Sequence, residues 1–238
     1  MSVLIFGGRS PIALELCKQL RDTSREVHLV TRKIDPEIQK IASQLKISML
    51  HQCDLLNSMA TIDFVSKVDQ QVNGLRGIVF LHRYRSKIHD PSAQYAVEVY
   101  TPYQILESLA KVSRLNELSV VLTSSPAATS VVSDQNFQYH ASKAATEQLV
   151  RFASVRFAIN KLRTNGINPG ALIFKERASE FYKDNPHILE TAVNSIPLGR
   201  IAQVSDIASV VMFLLSESSS FINGQIIKVD AGLSNISH

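Results

Sequence analysis

The stretch VLIFGGRSPIA, residues 3–13, decides the fold of this chain. Its four leading apolar residues predict a buried strand, and the glycine pair Gly7–Gly8 permits a sharp turn directly after it. Pro11 favours the first position of a helix, because its missing N–H would be unpaired there in any case. A strand, a glycine turn and a helix in this order aim free backbone N–H groups at an anion, although a tight turn between two core elements is the alternative. The candidate anion contacts are Gly7, Arg9, Ser10 and Ile12.

Short apolar runs and longer amphipathic runs alternate along the rest of the chain, which is typical of β-α-β units. The predicted strands are Val3–Phe6, Val27–Val30, Ile47–Leu50, Gly77–Leu81, Leu118–Leu122, Arg163–Ile167 and Ile226–Val229. The predicted helices are Ile12–Arg21, Pro36–Leu45, Ser58–Val72, Ser92–Val112, Tyr139–Asn160 and Val204–Leu215. We therefore expect a doubly wound α/β fold of the Rossmann type, with a parallel sheet of about seven strands and helices on both faces. No linker or repeat divides residues 1–238, which predicts a single domain, and the more polar segment 175–195 is expected to be a helical insertion on the substrate side.

The composition is that of an ordinary globular protein, with 45% hydrophobic residues, 19% charged residues and a net charge of +4. The basic residues are spread along the chain, so no nucleic-acid partner is expected, and no apolar run approaches membrane-spanning length. The chain opens on a strand, with no room for a signal peptide. Cys17 and Cys53 follow apolar patterns and are interpreted as core thiols. Together these features predict a cytoplasmic protein without a disulfide or a metal site.

The end of the second predicted strand indicates which dinucleotide the fold would take. An acidic residue at this point holds the ribose hydroxyls of NAD, whereas a basic one accepts the 2′-phosphate of NADP. The chain continues from the strand with Thr31, Arg32 and Lys33, and its next carboxylate is Asp35. Arg32 and Arg9 therefore form a candidate phosphate clamp, which favours NADP over NAD, and two solvated loop arginines are the alternative.

A second pattern carries the chemistry. Tyr139 and Lys143 are four residues apart in a predicted helix, which puts both side chains on one face. A cation held close to a tyrosine favours the phenolate, so that the phenol becomes a usable acid and base near neutral pH. A serine hydroxyl, as in Ser124–Ser125, can hold a carbonyl oxygen on which negative charge develops. The three groups suit the interconversion of a carbonyl and an alcohol with hydride from a cofactor, although a solvated helix face would also explain the tyrosine and the lysine.

With these motifs in this order, the chain resembles the short-chain dehydrogenase/reductase family over almost its whole length. The resemblance implies that Tyr139 is the proton donor or acceptor, that Lys143 tunes it and contacts the cofactor ribose, and that Ser125 anchors the substrate carbonyl. It also implies that Asp54 and Leu55 lie at the adenine, and that the turn with Pro169 and Gly170 contacts the nicotinamide half. The C-terminal run, with residues 196–200, 206–208, 221–225 and 229–232, looks like the β-ketoacyl-acyl-carrier-protein reductase branch.

The chain departs from the family pattern at three places. Leu81–His82–Arg83–Tyr84 stands where relatives usually carry Asn-Asn-Ala-Gly, and these larger side chains could crowd the cofactor. Glu98 stands where an asparagine takes part in proton relay, and Ser125 lies one residue farther from Tyr139 than usual. These departures leave three interpretations open: an NADP-dependent carbonyl reductase or alcohol dehydrogenase, a non-catalytic nucleotide-binding member with a regulatory role, and a structural subunit. The three catalytic residue types are all present, which favours the first.

The resemblance further implies self-association. In related proteins, the two long helices that correspond to Ser92–Val112 and Tyr139–Asn160 pair across a two-fold axis as a four-helix bundle. Both segments carry small or apolar positions that would otherwise face water. We therefore expect a homodimer or a homotetramer that acts on a small carbonyl or alcohol substrate.

Overall fold

Seven strands alternate with helices in the computed structural model, which describes residues 2–23, 25–86, 90–112, 116–170 and 184–236. The strands are β1 Ser2–Phe6, β2 Glu26–Thr31, β3 Met49–Gln52, β4 Gly77–Phe80, β5 Leu118–Thr123, β6 Leu162–Pro169 and β7 Ile226–Val229. The helices are α1 Pro11–Arg21, α2 Pro36–Gln44, α3 Ser58–Gln71, α4 Pro91–Tyr95, α5 Thr101–Ala110, α6 Phe137–Arg156, α7 Pro186–Asn194 and α8 Val204–Leu214.

All seven strands are parallel and form one sheet in the order β3-β2-β1-β4-β5-β6-β7. The chain first builds outward from β1 to β3 and then returns to place β4 on the other side of β1. In doubly wound sheets, ligands bind where the strand order reverses in this way, beyond the carboxyl ends of the strands. The predicted Rossmann-type fold, with about seven parallel strands in one domain, is confirmed.

A hydrophobic core lies on each face of the sheet, because successive side chains of a strand point to opposite faces. In β1, Leu4 and Phe6 join the core beneath α3, α5 and α6, whereas Val3 and Ile5 join the core beneath α1 and α8. All five residues of β1 are buried, as expected for a central strand covered on both sides. This strand holds the turn that follows it in place.

Three of the predicted elements differ from the structure for local reasons. The third strand begins two residues later than predicted, because the Ile47 N–H donates to the Ala42 carbonyl and closes α2 instead of joining the sheet. The predicted helix 92–112 contains one π-helical turn, Ala96–Tyr100, between α4 and α5. The predicted helix 139–160 begins earlier, because the side chain of Asn136 accepts a hydrogen bond from the Tyr139 N–H and caps α6.

The segment 175–195 is described only from residue 184, where it contains α7, and its remaining part lies outside the described residues. Of the two predicted core thiols, Cys17 is buried and its burial raises its pKa to about 12. Cys53 is half-buried, with its Sγ atom 3.2 Å from the hydroxyl of Thr61. Among the helices that the structure describes, none has the length and apolar character needed to cross a membrane.

Candidate active site

A cleft of about 750 Å³ opens beyond the carboxyl ends of the central strands. It is bounded by the turn after β1, the segment after β4, the turn after β5 and the first turns of α6. Every site residue that the sequence analysis selected lines this cleft: Gly7, Arg9, Ser10, Ile12, Arg32, Asp54, Leu55, Ser125, Tyr139, Lys143, Pro169 and Gly170. The fold thus brings together residues that come from six separate parts of the sequence.

The turn after β1 requires glycine at Gly7. Its φ of +92° lies in the region that side chains disfavour, and a Cβ atom there would be 2.6 Å from the backbone nitrogen of His82. The Ser10 N–H donates to the Gly7 carbonyl over 2.7 Å, which closes the turn just before α1. The backbone at Gly7 therefore packs directly against the segment after β4 and leaves no space for a larger residue.

The two arginines of the predicted phosphate clamp have different surroundings. Arg9 already pairs with two carboxylates, those of Asp35 and of Glu37, the latter at 3.1 Å. The Arg9 guanidinium donates a hydrogen bond to Asp35 and so holds the pKa of the Asp35 carboxyl below its ordinary value. Arg32 is exposed on the cleft wall, and no carboxylate of the described residues lies within 4.0 Å of it. Arg32 is thus the member of the clamp that is free to bind a phosphate.

Helix α6 presents Tyr139 and Lys143 to the cleft, one turn apart. The ammonium of Lys143 donates to the carbonyl of Thr123 over 3.0 Å and lies 5.6 Å from the centre of the Tyr139 ring. This hydrogen bond ties the helix to the end of β5, where the two serines follow. It places a cation beside the phenol, as the spacing predicted.

The two serines after β5 have different hydroxyl environments. Ser124 is buried, and its hydroxyl donates to Glu147 over 2.8 Å. Ser125 is partly exposed, and its hydroxyl accepts a long hydrogen bond, 3.3 Å, from the Ala127 N–H. A substrate oxygen could therefore engage Ser125 without breaking a buried hydrogen bond, which agrees with the choice of Ser125 over Ser124.

Sequence reasoning did not foresee the partner of Lys143. Its ammonium lies 3.0 Å from Oε2 of Glu98, and the two side chains are only 5% and 1% exposed. The other oxygen of Glu98 accepts a hydrogen bond from the Tyr84 N–H over 3.0 Å. Glu98 stands in the π-helical turn, a feature that often marks functional sites. In the sequence, Glu98 is marked as a site residue only by its position four residues before Pro102.

His82 lies behind this pair. Its Nε2 hydrogen-bonds the Val97 carbonyl over 2.9 Å, so Nε2 carries the proton and Nδ1 is the free acceptor. Burial, reinforced by the nearby Lys143 cation, lowers the pKa of His82 to about 4, and the ring is neutral at pH 7. The imidazole is therefore a neutral neighbour of the Glu98–Lys143 pair.

A cavity of about 10 Å³ lies under the cleft, lined in part by His82, Glu98, Thr123, Lys143 and Thr146. Three of these residues have a buried polar atom without an aligned hydrogen bond in the described structure: Nδ1 of His82, Oε2 of Glu98 and Oγ1 of Thr123. The cavity is about large enough for one water, and its walls offer the polar partners that a buried water needs. A set of buried polar side chains thus extends from Lys143 at the cleft to His82 and Thr146 around this cavity.

Arg83 is the second residue whose contacts the sequence did not reveal. Its guanidinium carbon lies 4.3 Å above the centre of the Tyr139 ring, and its Nη2 atom donates to the side chain of Gln135. From the sequence, the large side chains of segment 81–84 are expected to crowd the cofactor. The structure instead lays a cation on the face of the phenol, an attractive arrangement for a tyrosine.

No group of three or more metal-ligating side chains occurs within residues 2–23, 25–86, 90–112, 116–170 and 184–236. The residues that line the cleft include arginines, a phenol, hydroxyls and an ammonium, which are groups that can bind phosphate or act as acids and bases. A positioned phenol, a hydroxyl and a cation can hold a carbonyl oxygen and exchange a proton with it.

A comparison with protein families adds a direct assignment. A family model described as enoyl-(acyl carrier protein) reductase matches residues 7–234. A 7alpha-hydroxysteroid dehydrogenase of Escherichia coli K12 is 28% identical over 203 residues, which cover 82% of this chain and 77% of that protein.

Solved structures show the same architecture. A short-chain type dehydrogenase/reductase from Mycobacterium ulcerans superposes with a TM-score of 0.83 at 25% identity, covering 98% of this chain and 89% of that one. The RhlG/NADP active-site complex of Pseudomonas aeruginosa superposes with a TM-score of 0.82 at 22% identity. The superposition covers 98% of this chain and 95% of that one. The second similarity concerns the fold alone.

Proposed function

The chain belongs to the short-chain dehydrogenase/reductase family of oxidoreductases, and from this premise we propose that it interconverts a carbonyl and an alcohol with NADP(H). The observation that carries the proposal is the shared position of Ser125, Tyr139 and Lys143 in one cleft at the carboxyl ends of the strands. The hydroxyl of Ser125 follows β5, the phenol and the ammonium lie on α6, and β5 and α6 pack against each other. This arrangement matches the needs of the reaction at a single carbonyl group.

The residues present fit a dinucleotide. The turn at Gly7 leaves backbone N–H groups and the start of α1 for a pyrophosphate. Arg32 would hold the 2′-phosphate, Asp54 and Leu55 the adenine, and Pro169 with Gly170 the nicotinamide half. When bound, the cofactor would supply or accept the hydride. The choice of NADP over NAD rests on the exposed Arg32 and on the absence of a carboxylate before Asp35 in the sequence that follows β2.

The chain's own residues would handle the oxygen and its proton. Ser125 would donate a hydrogen bond to the carbonyl oxygen, and Tyr139 would give its hydroxyl proton to that oxygen during reduction, or take it back during oxidation. Lys143 would stabilise the phenolate left behind by Coulomb attraction and contact the cofactor ribose. The hydrogen bond from Lys143 to Thr123 holds the ammonium in place for this role.

A second candidate is a non-catalytic member that binds the nucleotide and serves as a regulatory or structural subunit. Two observations favour it: the carboxylate of Glu98 offsets the charge of Lys143, and Arg83 covers the ring of Tyr139. The intact set of Ser125, Tyr139 and Lys143 favours the enzyme. The proposal also includes assembly into a homodimer or a homotetramer and a cytoplasmic location.

Turnover decides between the two candidates. We would follow the oxidation of NADPH with a panel of acyl thioesters, sugar-like ketones and small xenobiotic carbonyls. Tyr139→Phe should lower turnover by at least ~10²-fold, since it removes only the proton donor. Tyr103→Phe, which removes a hydroxyl from α5 outside the cleft, is the matched control. Binding of NADPH without reduction of any carbonyl would favour the non-catalytic candidate, and equal rates for wild type and Tyr139→Phe would refute the role of Tyr139.

A further inference from the structure

Arg83 is held at a specific place on the cleft wall. The residue is exposed, yet its guanidinium is fixed by two contacts, the Tyr139 ring at 4.3 Å and the Gln135 side chain. Arginine has five N–H donors and binds planar, bidentate acceptors, so most of its donors stay available. A cation oriented in this way stands over the ring of the tyrosine that would donate the proton.

No acid of the described residues neutralises this cation. Arg9, Arg163 and Arg200 each have a carboxylate within ion-pair distance, whereas Arg83 has none within 4.0 Å. Arg85, two residues further along the chain, also lines the cleft and is likewise without a carboxylate partner in the described part of the chain. Asp134 also lines the cleft but lies beyond ion-pair distance of both arginines. The cleft therefore carries one uncompensated cation against the ring of Tyr139, that of Arg83, and a second one at Arg85.

The position in the sheet separates this wall from the cofactor phosphates. Arg83 follows β4, and β4 lies between β1, which carries the glycine turn, and β5, which leads to Ser125. Its contact with Tyr139 places the guanidinium on the catalytic side of β4. The candidate 2′-phosphate ligand, Arg32, follows β2 on the opposite side of β1.

We propose that Arg83, supported by Arg85, forms a subsite for a carboxylate of the substrate, so that the preferred substrates are oxo acids and their hydroxy acid counterparts. This inference rests on the proposed function. In the reduction, hydride from NADPH adds to the carbonyl carbon and the Tyr139 proton adds to the oxygen, which yields NADP⁺ and a hydroxy acid. The carboxylate itself takes no part and serves to orient the carbonyl toward Tyr139 and Ser125.

Matched pairs of substrates test the charge requirement. The probes are pyruvate, acetoacetate and levulinate, each compared with its uncharged amide, so that charge changes while size does not. A charge-assisted contact of this type should favour the best-spaced acid over its amide by roughly ten- to a hundred-fold in kcat/KM. In Arg83→Gln this preference should fall to nearly one, because the guanidinium is lost while the exposed site keeps its shape.

Two control variants separate this subsite from other effects of charge. Arg21→Gln removes an arginine at the exposed end of α1 and should leave the acid-to-amide ratio unchanged. Arg32→Gln should weaken NADPH binding without changing that ratio. Equal kcat/KM for acids and amides in the wild type would overturn the subsite while the proposed function stands. A loss of NADPH affinity in Arg83→Gln as large as the loss for the acid would assign Arg83 to the cofactor, which also overturns it.

If no probe is reduced, the affinity of each acid and of its amide for the NADP⁺-loaded protein can be measured by calorimetry, and this measurement still tests the subsite. Binding of an acid, but not of its amide, that disappears in Arg83→Gln would support the subsite even though the proposed reaction had failed. Absence of any such charge-dependent binding would overturn the subsite, whatever the turnover measurements show.

Discussion

The ammonium of Lys143 and the carboxylate of Glu98 form an ion pair of 3.0 Å inside the protein. Because Glu98 also accepts a hydrogen bond from the Tyr84 N–H, it connects the segment after β4 to helix α6, which carries Lys143. The pair therefore joins three parts of the site: the π-helical turn, the segment that carries Arg83 and the helix that carries Tyr139. Its contribution to stability can be measured separately from any activity.

Removing one member of this pair should destabilise the protein strongly. Glu98→Ala leaves the Lys143 cation buried without its partner, which typically costs about 3–5 kcal/mol in the free energy of unfolding. Urea denaturation would measure it. The exposed pair Lys67–Asp63, at 2.7 Å, supplies the control, since Asp63→Ala should cost less than about 1 kcal/mol. A loss in Glu98→Ala no larger than that of the control would show that the buried charge is solvated by other means.

The double variant Glu98→Leu with Lys143→Met should be more stable than Glu98→Ala, because no unpaired charge remains in the interior. A double-mutant cycle with the two single variants would give the coupling energy directly. Strict additivity of the single effects would contradict the ion pair as the source of the loss.

NADP(H) should bind more tightly than NAD(H), and Arg32→Ala should remove most of this preference. The loss of one charge-assisted phosphate contact corresponds to ~1.5–3 kcal/mol, or roughly ten- to a hundred-fold in the dissociation constant. Lys33→Ala removes the same charge one residue away, outside the cleft, and should preserve the preference. A wild-type protein that prefers NADH would show that Arg32 is only a surface charge.

Acid should destabilise the protein partly through His82. Its pKa is lowered from 6.5 to about 4 in the folded state, first by burial and then by the Lys143 cation. Between these two pH values the unfolded chain binds a proton that the folded protein resists, so stability falls as the pH drops through this window. The full effect, reached below pH 4, is about 3 kcal/mol.

His82→Gln should therefore lose less stability than the wild type between pH 7 and pH 4 in urea titrations. His187→Gln, at an exposed position of α7, is the control and should follow the wild-type profile. Identical pH dependence of the wild type and His82→Gln would show that His82 is protonated in the folded protein.

Sedimentation should detect a dimer or a tetramer at micromolar concentration. Tyr100 in the π-helical turn, Tyr103 in α5 and Phe152 in α6 form a chain of ring contacts at 6.2–6.3 Å. Val155, also in α6, is 82% exposed. An apolar face of this kind is usually buried by symmetric association. Phe152→Glu should shift the protein toward the monomer, whereas Met59→Glu, at an exposed position of α3, should not. A monomeric wild type would argue against this interface.

The architecture was accessible from the sequence because it depends on local patterns. Apolar runs separated by amphipathic ones predicted all seven strands, and the residues 3–13 predicted the strand, turn and helix that open the fold. The spacing of Tyr139 and Lys143 placed both on one face of a helix, and the structure agrees. The boundaries that moved did so through single hydrogen bonds, such as that of Ile47 to Ala42, which periodicity does not reveal.

The electrostatics of the site were decided by the tertiary structure alone. Glu98 meets Lys143, Asp35 meets Arg9, and Arg83 lies on Tyr139 only because the parallel sheet brings the ends of distant strands together. A sequence pattern identifies which groups carry charge, but the strength of a charge depends on burial and on the partner, and both arise from packing. The sequence thus determined the fold and the residues of the cleft, while the three-dimensional packing determined which of their charges are compensated and which remain free.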